Sequence, residues 1–232
     1  MEMIEQSPDK MILRVAANES LINAIRRSIS EIPTLAIDEV EIIKNDSALY
    51  DEFLAHRIGL VPLKNEGSMN DKTEIDLKLS KVGPGMVLAG DFSGKVDVVH
   101  SGIPLTLLEK GQEIELVATA RLGRGIEHEK YTPGLCYYRH LFLVNSKNAQ
   151  VIKLVEHAQG VIKPEKQKDG WVCDLNEAIV EEIRVLDPES IQPANELLLF
   201  IESFGHLPAK EILGKSIKVL SENLEAFEKA LK

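Results

Sequence analysis

His56 is the first residue to suggest chemistry, because an imidazole titrates close enough to neutral pH to act as a general acid or base. It sits in Asp51–Leu63, DEFLAHRIGLVPL, where no Ser, Cys or Asp is spaced with it in a recognisable catalytic arrangement. The expected role is a hydrogen-bonded histidine at a helix-to-strand corner. In the same segment Phe53, Leu54, Ile58 and Leu60 supply apolar surface, Gly59 permits a turn, and Val61-Pro62-Leu63 leaves extended. Gly123-Arg124-Gly125 has the start of a glycine-rich phosphate loop, but His128 stands where a third glycine belongs and no P-loop lysine follows. Glu127, His128 and Glu129 are consecutive, so a strand would not aim all three at one metal ion. Cys136 and Cys173 lack the paired spacing of zinc or iron–sulfur ligands, and each reads as an inert buried thiol. None of these groups makes a catalytic or metal-binding constellation.

Arg26-Arg27 lies within Asn23–Asp38, NAIRRSISEIPTLAID, and admits two readings. One is a solvated basic edge, the common fate of charged helix residues and the one favoured by the physics of the pair alone. The other is a protein contact, because guanidinium groups form directed forks to carboxylates and carbonyls at interfaces.

The elements that position these residues follow from periodicity. Met11–Val15 is β-compatible, and Asn18 or Ser20 can cap a helix. Leu21, Ile22, Ile25, Ile29 and Ile32 then mark one helical face, which Pro33 ends. Ile37, Val40 and Ile42 predict a strand, completing a β-α-β unit. Near the other end, Leu197–Glu202 reads as a buried strand broken by Gly205, with Pro208 in the first turn of a helix. Along that helix Leu213, Ile217, Leu220, Leu224, Phe227 and Leu231 recur by fours and threes as a heptad-like seam, and Ile212 and Val219 widen it. Such a seam can pack on its own domain or cross to a partner. In the middle, Ile114, Leu116, Ala118 and Ala120 alternate with polar residues as a half-buried strand does, after a turn at Lys110-Gly111-Gln112. Gly83-Pro84-Gly85 marks a loop. Ser146–Pro188 reads as a small insertion with helical pieces at Val151–Ala158 and Asn176–Ile183 and a polar break at Lys163–Gly170.

The 232 residues suffice for one large or two modest domains, and 44% hydrophobic with 28% charged residues is a globular composition. The longest aliphatic or aromatic run, Leu197–Ile201, is far too short to span a bilayer, and the first ten residues lack the pattern of an export signal. Two cysteines fit a reducing interior, so a cytoplasmic location is expected. Thirty-seven acidic against 27 basic residues leave a net charge of −10, with no basic stripe for a polyanion. Direct gripping of DNA is therefore not expected.

Long segments in order resemble one family. They are NAIRRSISEIPTLAIDEVEI (23–42), DEFLAHRIGLVPL (51–63), GQEIELVATARLGRGIEHEKYTPG (111–134) and ESFGHLPAKEILGKSI (202–217). They resemble the assembly subunit of multisubunit DNA-directed RNA polymerases in its archaeal form, with relatives in the third-largest subunit of eukaryotic polymerase II and bacterial alpha. The resemblance implies an α+β fold. A dimerisation domain would form from both chain ends (1–45 and 191–232), with an inserted, mainly β domain (46–145) and a remnant of a ferredoxin-like insertion (146–190). It implies a non-catalytic scaffold that heterodimerises with a smaller homologous subunit, L. That scaffold would carry small zinc-binding subunits, dock the second-largest subunit and meet DNA only through the complex.

In that reading Arg26 and Arg27 lie on the helix directed toward a large subunit, and Leu213, Ile217, Leu220, Leu224, Phe227 and Leu231 face the partner. Many archaeal relatives carry four-cysteine iron–sulfur motifs in the insertion, where this chain has only Cys173, so no cluster is expected. The sequence ends just after the seam helix, which favours the archaeal heterodimer over a homodimeric alpha-like scaffold. A stand-alone metabolic enzyme using His56 or the Gly123/Gly125 loop is the rival from another class, and turnover by the isolated chain would mark it.

Overall fold

A computed structural model describes residues 1–65, 69–70 and 72–232. Strands β1 (Glu2–Gln6) and β2 (Lys10–Val15) precede helix α1 (Glu19–Ser28), a 3₁₀ turn at Ile29–Glu31 and the long strand β3 (Thr34–Asn45). Helix α2 (Asp51–Gly59) is followed by β4 (Glu74–Val82), β5 (Gly85–Leu88), the two-residue β6 (Ser93–Gly94) and β7 (Pro104–Leu108). Next come β8 (Glu113–Gly123), β9 (Gly134–Val144), α3 (Ala149–Glu156), β10 (Glu165–Gln167) and β11 (Gly170–Cys173). Helix α4 (Glu177–Leu186), β12 (Ile191–Ser203) and α5 (Ala209–Ala230) complete the order. The result is a mixed α/β chain dominated by sheet. Among the described residues no helix is long and apolar enough to cross a membrane.

The chain divides into two compact units, 1–24 with 136–201 and 25–135 with 202–232. The first is built on a sheet of order β1-β2-β12-β9-β11-β10, in which the β1-β2, β9-β11 and β10-β11 pairings are antiparallel. One face carries the cluster of Ile12, Leu141, Ile162, Val172, Leu198 and Phe200. The other face holds α3 and α4 through Val144, Val151, Val155, Cys173, Leu175, Val180 and Ile183. Each of these helices starts on an asparagine: Asn148 accepts from the Gln150 amide and Asn176 from the Ile179 amide, which satisfies donors that the first turn leaves open. The polar stretch 163–170 is only partly a break. Glu165–Gln167 pairs with Gly170–Trp171-Val172 as a hairpin, too short and too exposed for alternation to reveal it in sequence.

The second unit centres on a sheet of order β3-β8-β4-β6 and a two-stranded ribbon, β5-β7. Along β8 the alternation holds: Ile114, Leu116, Ala118 and Ala120 are buried in the core with Leu35, Ile37, Leu54, Ile58, Leu77 and Leu79. Gly111, at φ +84, makes the turn before it. The register of β3 against β8 shifts between Ile37 and Glu39, so Asp38 is the extra residue of a bulge, a device that re-aims a side chain. Pro33 separates the 3₁₀ turn from β3, as a proline that cannot continue a helix should. The strands on either side of α1 join different sheets, β2 the six-stranded one and β3 the four-stranded one.

Candidate protein-docking surface

Helix α5 is 22 residues long, which at 1.5 Å per residue is about 33 Å. Pro208 sits at its N-cap, one residue before the first turn. Ala209, Ile212 and Ser216 are buried, and Val219 is half-buried on the same stripe. The predicted seam is displaced by one residue from that stripe, about 100° around the helix. It turns away from the unit: Ile217 is 45% exposed, Leu224 61%, Phe227 64% and Leu231 72%, while Leu213 and Leu220 are half-buried at its border. Ile212 and Val219 thus belong to the inward stripe rather than to the seam. The helix is held as far as Asn223, whose side-chain amide donates to Glu31 of the 3₁₀ turn at 2.8 Å. Beyond it every residue is exposed.

The start of α5 is fixed by a device that periodicity did not reveal. Gly205 has φ +98, and a Cβ there would meet Val99 Cγ1 at 2.2 Å, so both conformation and space require glycine. His206, 6% exposed, donates from Nδ1 to the Leu63 carbonyl at 2.9 Å, and the Asn65 amide donates to the His206 carbonyl at 3.2 Å. The Asn65 side-chain oxygen in turn accepts from the Leu35 amide at 2.9 Å. Burial lowers the pKa of His206, with the hydrogen bond to Leu63 opposing it, so the ring is held neutral. Val61–Asn65 therefore ties the beginning of β3 to the beginning of α5. A histidine next to the strand-breaking Gly205 was the available signal.

In α2, Leu54 and Ile58, four apart, are fully buried, whereas Phe53 and Leu60 face outward at 63% and 51% exposure. Tyr50, missed in sequence, is 75% exposed with its ring centroid 6.5 Å from that of Phe53. Their i, i+3 spacing was the clue. Arg57 anchors the helix by donating to the Pro104 carbonyl at 2.5 Å. His56 is exposed and makes no hydrogen bond to the described residues, contrary to the bonded corner expected for it. It lines a small cavity of about 230 Å³ with Asp38, His128 and Lys130 among others. That cavity contains no Ser, Thr or Cys, and its carboxylate is engaged. Asp38 accepts from Lys130 Nζ at 2.9 Å and from the Tyr131 hydroxyl at 2.8 Å. Those two bonds hold its pKa below the usual carboxylate range. His128 Nδ1 accepts from the Lys130 amide.

The Gly123/Gly125 loop offers no amide cradle for phosphate. The Arg124 amide donates to the Glu127 carboxylate, the Ile126 amide to Ser30 O, and the Glu127 and His128 amides to Arg124 O. Among the described residues no group of three or more His, Cys, Asp or Glu could hold a metal ion. Cys136 and Cys173 are both buried and neither is in a disulfide. Cys173 lies 3.6 Å from the Phe142 carbonyl, and burial, aided by the charge of Asp174, pushes its pKa up to about 12. On α1, Arg26 is half-buried and Arg27 exposed, both in the last turn, where cations suit the helix dipole.

Residues 21–135 match the family described as the RNA polymerase Rpb3/RpoA insert domain. The chain is 34% identical over 251 aligned residues to the DNA-directed RNA polymerase subunit Rpo3 of Thermococcus kodakarensis, covering 97% of this chain and 95% of that one. Against the subunit of the same name from Pyrococcus furiosus the identity is 32%, with coverages of 97% and 94%. The Archaeoglobus fulgidus Rpo3 is 30% identical, with coverages of 96% and 93%.

Proposed function

We propose, from the premise that this chain belongs to the family of archaeal DNA-directed RNA polymerase subunits Rpo3, that it is the assembly scaffold of its polymerase and pairs through α5 with a smaller homologous subunit, L. The observation that carries the reading is the outward seam: four large apolar side chains, Ile217, Leu224, Phe227 and Leu231, stand in water on one helix that its own unit already holds by a different stripe. Exposed apolar surface of that kind marks a docking site. In this reading the dimerisation domain takes 1–45 and 191–232, the inserted domain 46–145 and the small insertion 146–190. That functional division cuts across the two compact units.

The remaining partners follow from the same premise. Arg26 and Arg27 dock the second-largest subunit, small zinc-binding subunits attach to the pair, and DNA is met only through the assembled enzyme. The chain itself is non-catalytic, and the hydrogen-bonded state of Asp38 and the self-satisfied Gly123/Gly125 loop support that assignment. It binds no iron–sulfur cluster. A cysteine-ligated cluster needs thiolates, whereas the insertion offers one buried cysteine held as the thiol, so the residues present do not fit one. A cytoplasmic location goes with this role.

The test is capture of the tagged full-length chain from native extract, followed by mass spectrometry. Recovery of L and the large subunits at fixed stoichiometry is expected. Recovery of this chain only as a homodimer would replace the reading with an alpha-like scaffold, and turnover by the purified chain would replace it with an enzyme.

A further inference from the structure

The six-stranded sheet of the first unit contains an ion pair that a flat sheet could not make. From β2 to β10 the order runs through β12, β9 and β11, four strand spacings or about 19 Å. Yet Arg14 of β2 donates from one guanidinium nitrogen to both carboxylate oxygens of Glu165 on β10, at 3.0 and 2.9 Å. The register explains how. Glu165 stands opposite Val172, and Val172 opposite Leu143, so all three point to one face. Ile12 and Arg14, two apart on β2, share a face as well, and Ile12 and Val172 meet in one cluster with Leu141, Leu198, Phe200 and Ile162. The sheet therefore curls around that face, and Arg14–Glu165 joins β10 at one rim to β2, the strand next to the other rim.

Arg14 is 8% exposed and is also held by Glu196, through Nε at 3.2 Å and a terminal nitrogen at 2.7 Å, with Glu2 at 3.7 Å. Burial works against its charge, but Glu196 and Glu165 outweigh that and raise its pKa. A second tie lies at the other end of the same segment. Asp174, buried, accepts from Arg139 at 2.5 Å and from the Val161 amide at 2.7 Å. Arg139 itself lies over the Phe200 ring at 4.9 Å.

We propose that residues 160–167 are a strap that closes the concave apolar face and opens independently of the rest of the unit, with Arg14 as its latch. The inference does not depend on the polymerase reading. The strap contributes one buried apolar side chain, Ile162, and its strand β10 is three exposed residues paired with β11. Segments with so few buried contacts open well below the global unfolding free energy. Helices α3 and α4 belong to a different cluster, on the opposite face, and have no share in the latch. Asp174 Oδ1 is buried without a hydrogen bond to the described residues, so opening would hydrate it and lower the cost of release.

The experiment is amide hydrogen exchange on the full-length chain, wild type against Glu165→Ala, with Lys163→Gln as a control that removes an exposed strap charge outside the latch. Exchange from Val161 to Gln167 is expected to rise at least about tenfold in Glu165→Ala, with α3 and α4 unchanged and the control like wild type. Arg14→Lys, which keeps the charge but cannot hold Glu165 and Glu196 from separate nitrogens, should raise exchange in the same residues. Unchanged exchange in the strap, or an equal rise in α3 and α4, would overturn the proposal.

Discussion

Replacing Leu224 by glutamate separates the two faces of α5. Leu224 is 61% exposed in the isolated chain and lies one residue beyond Asn223, the last anchor of the helix. A surface substitution of this kind changes stability by within about 0.5 kcal/mol, so the melting temperature of the free chain should hardly move. Pairing should respond very differently. Complete burial of a Leu, Ile or Phe side chain contributes about 1.5–3 kcal/mol. Scaled by the exposures of Ile217, Leu224, Phe227 and Leu231, the seam therefore has about 5 kcal/mol to gain from a partner. Leu224→Glu forfeits about 1–2 kcal/mol of that and places an unpaired carboxylate in the contact, at a further cost of a few kcal/mol. The dissociation constant should rise by at least about 100-fold. Isothermal calorimetry of the variant against purified L gives the constant, and calorimetric melting of the free chain gives the control. Leu220→Glu should also block pairing, with some loss of chain stability because Leu220 is half-buried. Unchanged affinity in Leu224→Glu and Leu220→Glu, both still folded, would refute the assignment of this face.

Arg26→Ala combined with Arg27→Ala should leave the small heterodimer intact and block its incorporation into the larger assembly, read by stepwise reconstitution and size-exclusion chromatography. Truncating an interface arginine whose partner stays buried costs about 2–5 kcal/mol. His206 gives a pH dependence with a definite sign: the unfolded chain takes up a proton near pH 6.5, while the folded chain keeps the ring neutral to lower pH. Stability should therefore fall as pH drops below about 6.5, and His206→Gln should flatten that slope in urea titrations at pH 7 and pH 5.5. Anaerobically purified chain should contain no stoichiometric iron or sulfide, and Cys173 should resist alkylation at pH 8 until denaturant is added; rapid native alkylation would contradict the buried-thiol geometry.

Strong periodicity was legible in the sequence and weak periodicity was not. The β8 alternation Ile114, Leu116, Ala118, Ala120 and the helices at 149–156 and 177–186 were readable because each buries one face, so the side-chain period survives in the residue order. The hairpin at 165–173 escaped because its first strand is three exposed residues with nothing to alternate. In α2 the apolar residues were visible, but Phe53 and Leu60 turned outward where a single apolar surface with Leu54 and Ile58 was expected.

The residue order by itself determined that α5 carries an apolar seam and that Arg26 and Arg27 share a helix turn. These are properties of neighbours along the chain, set by bond geometry and helical repeat. Only the tertiary structure decided which stripe of α5 faces inward, because Ile212 and Leu213 differ by one position and about 100°, and both are apolar. It alone placed His206 on Leu63, Asp38 on Lys130 and Tyr131, and Arg14 on Glu165, pairs separated by 143, 92, 93 and 151 positions. Contacts of that range arise from sheet order, bulge and curl, which depend on how whole strands pair and not on any local pattern of residues.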